Sequence, residues 1–395
     1  MPNPLCNSLF SMSAVVMATL CVATPSMAGP NLPTANTVEE ARLAQAIAAM
    51  PEVTQRYQAF PYQLQQRLTA ANNELTLTQD TAALARRLWQ QAVRDVQAGN
   101  PDDRALYWSR LAMREIILSG KVGFNIAPWQ RQILLTSIEQ ASRGMSDVSF
   151  DPKSSRRILV TGFDPFFLDK HIDQSNPSGL GALHLDGHKF SVNGKQAEIQ
   201  SVMIPVRFDD FDQGMIEALM TPYFRDNNVD LVITMSMGRD HFDLERFVGR
   251  NRSASAPDNR NLMTGASLQQ PKAPLFEQAA IKGQSFYEFS LPVTAMASIS
   301  GKWQVNDNRE VNTLEQGPME AISLDSILNM TSVEGSGGGY LSNEITYRTL
   351  RVKDLLNSKV RSGHIHTPKV QGHDGDYEAA IVRQLTLLIE TAAAH

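Results

Sequence analysis

The sequence predicts an α/β three-layer sandwich with a mostly parallel sheet, preceded by an all-helical N-terminal domain. Three observations predict it. Up to Gly144 the apolar residues recur at helical spacing. Beyond Ser155 short apolar runs alternate with helical stretches, the pattern of a sheet whose strands are joined by crossover helices. Between the two lies Met145 to Ser155, a polar stretch holding Asp151-Pro152, which reads as a linker.

The elements follow in order. Leu9 to Ala23 is a short apolar run, and Pro25-Ser26-Met27-Ala28 places small residues as signal peptidase needs them. Residues 1–28 are therefore expected to be a leader cleaved after Ala28, and the product to be periplasmic or secreted. Residues 29–150 form the expected helical domain. Thr78 to Gln97 carries Leu84, Leu88, Ala92 and Val96 four apart. Asn100-Pro101-Asp102-Asp103 reads as a helix start, with an N-cap, a proline and two acids near the positive end of the dipole. That helix stops at Gly120, and Trp129 to Ala141 supplies another. Residues 151–395 form the expected α/β domain. Its strands are Arg157–Thr161, Glu198–Ile204, Val229–Met235, Ile327–Ser332 and Gly363–Thr367. Its helices are Asp209–Phe224, Asn343–Leu356 and Asp376–Ala393.

Composition narrows the function classes. The net charge is −5 with no basic block, which gives no footprint for nucleic acid. Cys6 and Cys21 both lie in the leader, so the mature chain is expected to have no disulfide, thiolate metal site or cysteine nucleophile. No later run of 18 apolar residues predicts a span, so no membrane partner is expected after cleavage. His364 and His366, two apart, have no partner cluster at zinc-site spacing, and no metal or cofactor is expected. The sequence carries no signal for an oligomeric state.

In open α/β sheets the loops after the strands carry the site. Four such loops stand out here: Thr161 to Phe167, Gly238-Arg239 leading to Glu245-Arg246, the glycine run Gly337–Gly339 before Ser342-Asn343, and His366 with Pro368 behind it. Together they resemble the pyroglutamyl peptidase type I family, the pyrrolidone-carboxylate peptidases. The family's TGF-[DE]-PF loop matches Thr161 to Phe166, its NP[ST] matches Asn176-Pro177-Ser178, and its PV-x-F matches Pro205 to Phe208. Its GR followed by Glu-Arg matches Gly238-Arg239 and Glu245-Arg246, and its PDN matches Pro257-Asp258-Asn259. Its G-x-IH-x-P matches Gly363 to Pro368. The resemblance covers about residues 156–395.

The chain departs from that pattern in four places. The family's nucleophilic cysteine is Ser342 here. An arginine before its PDN becomes Ser255, a glutamine after its third strand becomes Met235, and an insertion lies around residues 260–324. The resemblance implies an exported peptidase or amide hydrolase with Ser342, His366 and Glu245 as nucleophile, base and orienting acid. Phe163, Phe166, Gly339, Asn343 and Arg239 would bind a peptide or small amide substrate. A hydroxyl has none of a thiol's ionisation reserve and must lose its proton during attack. Three readings of Ser342 therefore stand: a working nucleophile, part of a site that binds without turnover, and an ordinary helix N-cap. The retained Glu245 and His366 favour the hydrolase.

Overall fold

The computed structural model describes residues 37–395; the expected leader lies outside them. Seven helices fill the first part: Val38–Ala41, Leu43–Ala49, Pro51–Gln55, Ala59–Ala70, Glu74–Gln97, Arg104–Ser119 and Pro128–Ala141. The longest is capped by Asn73, whose Oδ1 accepts from the Thr76 N–H at 2.9 Å, and it buries Leu77, Leu84, Leu88, Trp89, Ala92 and Val96. The helix expected to start at Asn100 begins at Arg104 instead. Its two acids hold one local and one distant partner. Asp102 binds the Arg104 guanidinium at 2.9 and 3.0 Å, and Asp103 accepts from the Asn176 N–H at 3.1 Å.

The second part is built on a seven-stranded sheet. Its strands are β1 (Arg156–Phe163), β2 (Lys189–Val192), β3 (Lys195–Ile204), β4 (Leu231–Met237), β5 (Phe242–Glu245), β6 (Val305–Asn308) and β7 (Arg361–Thr367), in the order β6-β5-β7-β4-β1-β3-β2. β1 runs parallel to β3 and β4, β4 to β7, and β5 to β6; β5 against β7 and β2 against β3 are antiparallel. Side chains alternate across the sheet as the pleat requires. Ile158 and Val160 pack with Ile381 and Leu385 of the helix Gly375–Ala394, whereas Leu159 and Val232 pack with Met220 and Ile345 on the other side. Helices thus cover both faces.

Two expected elements differ. Ile327–Ser332 is no strand of the main sheet. The backbone makes a 3-10 turn at Leu324–Ser326, and a strand begins only at Ser332–Glu334, in a separate three-stranded sheet. The apolar run was real, since Ile327 is buried beside Phe247, Phe286 and Val311, but it fills a small satellite core. The stretch expected as one helix from Asp209 is two, Phe208–Asp212 and Met215–Arg225, split at Gly214 with φ of 82°.

The helical part and the sheet share a core. The cluster built on Leu84, Leu88, Trp108 and Leu111 takes in Leu168, Leu180, Leu183, Met203 and Val382 from the second part. A buried charge network crosses the same junction. Asp164 of the Thr161–Phe166 loop binds Arg110 at 2.8 Å and Arg143 at 2.7 Å. Arg207 binds Glu39 at 2.6 Å and Glu139 at 3.1 Å. Burial alone would push the Glu139 carboxyl up, but Arg207, Arg143 and Arg114 hold it well below the usual carboxylate range. Such pairs add little net stability over apolar packing, yet stranding one charge costs about 3–5 kcal/mol. They fix how the helices meet the loop after β1.

Candidate active site

The site begins with a register. β5 lies antiparallel to β7, with Asp243 opposite His366 and Leu244 opposite Ile365. That pairing brings Glu245, the last residue of β5, to the imidazole, and His366 Nδ1 donates to Glu245 Oε1. On the other side β6 sets Asn308 opposite Glu245, and Asn308 Nδ2 donates to Glu245 Oε2 at 2.9 Å. The same Nδ2 donates to the Ser336 carbonyl at 2.9 Å, and Asn308 Oδ1 accepts from the Glu310 N–H at 3.1 Å. Both carboxylate oxygens of Glu245 are therefore engaged. Burial pushes the Glu245 carboxyl up, and the adjacent His366 opposes that shift.

One glycine makes room for the imidazole and another lies in contact with it. A Cβ at Gly238 would sit 2.7 Å from His366 Cβ, and one at Gly337 would sit 3.5 Å from His366 Cε1 and 3.6 Å from Glu245 Cγ. The loop at Gly337 therefore passes directly over the His–Glu pair. The His364 ring stands edge-on to His366, with centroids 4.8 Å apart. His364 is fully buried, and its pKa lies well below the usual imidazole value because of burial and the neighbouring His366. Neutral, it bridges Thr234, Thr346 and Ser236 at 2.8–2.9 Å.

Ser342 is not an N-cap. The helix runs Leu341–Leu355, its N-cap is Tyr340 in extended conformation, and no side chain caps it. Ser342 occupies the second helical position, where its own N–H has no partner within the helix. Its Oγ donates to the Gly337 carbonyl at 3.2 Å. No hydrogen bond joins Ser342 to His366, whose Nε2 has no hydrogen-bond partner among the described residues. Both residues, with Gly337 and Gly338, line a cleft of about 790 Å³. A serine in the first turn of a helix, lining the same cleft as an imidazole held by a buried carboxylate, has the parts for acyl transfer.

The binding residues expected from sequence divide. Phe163 and Phe166 line a recess of about 40 Å³ that opens at Ser342, and Phe163 stacks on Phe211 with centroids 6.4 Å apart. Arg239 lines the cleft, exposed, 3.9 Å from Glu310. Asn343 and Gly339 do not face substrate space. Asn343 is buried and pins Gly249, accepting from its N–H at 2.9 Å and donating to its carbonyl at 2.7 Å. Gly339 packs against Ser253, whose Oγ would lie 1.9 Å from an added Cβ. Met235 is buried in the core, and Met237 is the methionine that reaches the recess. Asn308, Ser336 and Tyr340 were missed. Asn308 lies in Asn306-Asp307-Asn308-Arg309, whose composition reads as a turn.

Comparison with known proteins places the chain further. The family model described as PA0049, C-terminal domain, matches residues 157–292 and 300–371, and that of the PA0049 N-terminal domain matches residues 22–139. The uncharacterized protein PA0049 of Pseudomonas aeruginosa is 28% identical over 405 residues, covering 78% of this chain and 73% of its own. Among solved structures, a mutant pyrrolidone carboxyl peptidase from the hyperthermophile Pyrococcus furiosus is 20% identical, with a TM-score of 0.40 over 60% of this chain and 97% of that one. The pyrrolidone carboxyl peptidase of Thermococcus litoralis is 17% identical, with a TM-score of 0.41 over 60% and 93%. The pyroglutamyl peptidase I of Bacillus amyloliquefaciens is 20% identical, with a TM-score of 0.40 over 61% and 96%.

Proposed function

The chain belongs to the PA0049 family, and we propose that it hydrolyses the amide bond between a small acyl group, pyroglutamyl or related, and the rest of a peptide. One observation carries the reading: His366, held at Nδ1 by buried Glu245, turns an unpartnered Nε2 to the cleft that Ser342 also lines. The ordered motifs around both residues support it.

The chemistry follows from the atoms present. Ser342 Oγ leaves the Gly337 carbonyl and hands its proton to His366 Nε2 as it bonds to the substrate carbonyl carbon. Glu245 keeps the imidazole in the tautomer that accepts that proton, and stabilises the imidazolium. The carbonyl oxygen becomes an oxyanion that takes hydrogen bonds from the N–H of Ser342 and of the glycine loop. The C–N bond breaks, and the amine leaves with the proton from Nε2. Water then attacks the acyl-serine, giving its proton to Nε2 and releasing the acid, and Nε2 returns that proton to Ser342 Oγ. Export belongs to the same proposal and rests on the leader pattern of residues 1–28.

The test is Ser342→Ala assayed on fluorogenic acyl amides, pyroglutamyl amide included. Hydrolysis by the wild type is expected to vanish in the variant, and hydrolysis at the wild-type rate excludes this mechanism. The Ser342–Gly337 hydrogen bond favours a second reading, a catalytically inactive homologue that binds a peptide N-terminus or small cyclic ligand without turnover. Saturable binding with no product from the wild type selects it.

A further inference from the structure

From the loop after β1 we infer that Phe167 is a specificity residue, a binding surface for an aromatic side chain on the residue that follows the scissile bond of a peptide substrate. The inference rests on the acyl-transfer reading of Ser342 and adds a substrate class to it. Phe167 has a φ of 63°. The left-handed region is a steric outlier for so bulky a side chain and costs free energy. Burial does not offset that cost, because the residue is 42% exposed.

The loop is pinned on both sides of this residue. Before it, Asp164 binds Arg110 and Arg143, and the Pro165 carbonyl accepts from Asn259 Nδ2 at 2.8 Å. After it, Leu168 is buried in the core of the helical part, and Asp169 binds Arg42 at 2.6 Å. The Phe167 carbonyl itself accepts from the N–H groups of Lys170 and His171 at 3.0 and 3.1 Å. These contacts hold the backbone in the strained conformation and leave the ring outside the core. Strain that the surroundings enforce, on an exposed aromatic beside reacting groups, points to a ligand.

The ring lies beside that of Phe166, with centroids 4.4 Å apart and planes tilted by 46°. Phe166 lines both the recess and the cleft, whereas Phe167 lines the cleft alone, together with Ser342 and His366. In the proposed reaction His366 Nε2 hands its proton to the departing amine, so the amine component lies in the cleft that His366 lines. At about 790 Å³ that cleft has room for a whole side chain as well as backbone. Its charged side chains, Arg239 and Lys369 against Glu310 and Glu334, balance in sign. The aromatic pair is therefore what distinguishes one side chain from another, and a third ring gains from it beyond the area it covers.

The experiment compares pyroglutamyl-phenylalanine amide with pyroglutamyl-alanine amide on the full-length wild type. The expected kcat/KM is at least about threefold higher for the phenylalanine substrate; a lower ratio overturns the inference and leaves the hydrolase reading standing. Phe167→Gly removes the ring and the strain together. It is expected to bring the ratio to about one in a protein that keeps its thermal unfolding midpoint, and a folded variant that keeps the preference overturns the inference. If the glycine variant does not fold, Phe167→Asn, which also tolerates the left-handed conformation, takes its place. Failure of both to fold assigns the ring to packing and overturns the inference. If neither substrate is turned over, the hydrolase reading fails, and calorimetric titration with the same two peptides decides. Tighter binding of the phenylalanine peptide by the wild type and not by the variant supports the inference, and equal binding overturns it.

Discussion

Replacing Glu245 by glutamine changes one oxygen into an NH₂ group and leaves the shape alone. The structure says why that should be severe. Glu245 accepts on both oxygens, from His366 Nδ1 and from Asn308 Nδ2. An amide can accept on one side only. If its oxygen faces His366, its NH₂ faces the Asn308 NH₂, donor against donor. Asn308 cannot turn to relieve this, because its Nδ2 also holds the Ser336 carbonyl and its Oδ1 the Glu310 N–H. The amide therefore turns its NH₂ to His366 and forces the imidazole proton onto Nε2, the atom that must accept from Ser342. A wrong tautomer of this kind lowers kcat by roughly 10⁴-fold in a serine triad, and each tenfold is about 1.4 kcal/mol of barrier. Glu245→Gln is accordingly expected to lose 10³–10⁴ in kcat/KM, or about 4–5.5 kcal/mol. Adding Asn308→Asp reverses the polarity of the partner. The amide then donates to the new carboxylate and accepts from His366, and part of the activity returns, though not all, because the same substitution takes the donor from the Ser336 carbonyl. Nitrogen-15 NMR of His366 reads the tautomer without substrate, expected on Nδ1 in the wild type, on Nε2 in the single variant and back on Nδ1 in the double. A single variant within tenfold of wild type, or a tautomer that does not move, refutes the reasoning.

Three further predictions follow from the same contacts. Ser342→Cys puts a thiol at the helix start beside His366, and its alkylation profile is expected to show a pKa at least about one unit below the free-thiol value near 8.5; an unshifted thiol denies the helix and imidazole their effect. Asp164→Ala strands the buried guanidinium of Arg110, which keeps only Ser142 as a neutral partner, while Arg143 retains Glu139. The expected loss in urea denaturation is about 3–5 kcal/mol, and a loss below about 1 kcal/mol contradicts the network. Burial pushes the Asp186 carboxyl up to about 6 against the Ser201 and Trp89 hydrogen bonds. A folded pKa above the unfolded one near 3.9 means that this group's contribution is complete below about pH 4 and lost by about pH 6. Asp186→Asn is therefore expected to gain roughly 1–2 kcal/mol over wild type between pH 4 and pH 7, after allowance for residual water contact, as read from denaturation midpoints at the two pH values.

The parts legible in the sequence were those set by local pattern. The strands Arg156–Phe163 and Arg361–Thr367 and the helix Gly375–Ala394 announce themselves by apolar spacing. His366 and Glu245 stood out through motif order, and the structure joins them. What stayed hidden depends on distant partners. Val305-Asn306-Asp307-Asn308 has the composition of a turn, since Asn and Asp are depleted in strands, yet it pairs along Phe242–Glu245 as an edge strand. Arg110 and Arg114 look like a solvated helix face, because lone charges are almost never buried; their carboxylate partners lie up to 74 residues away. Asn343 followed its neighbour into the binding set because a motif gives adjacency and not direction. One helical step turned it into the core, while Ser342 kept the cleft.

The carboxyl of Asp164 sits between Phe163 and Phe166, two walls of the recess, yet both cations that neutralise it come from before residue 150. A chain cut ahead of β1 would not be a smaller copy of the same site. It would keep an acid whose counterions had been deleted, near Leu168, Leu180 and Met203, which would have lost Leu84, Leu88 and Leu111 from their shared core. Among the described residues none before residue 150 lines the cleft or the recess, yet Arg110 and Arg143 fix by charge the loop that carries its aromatic walls, so a change on one side of that contact calls for a matching change on the other.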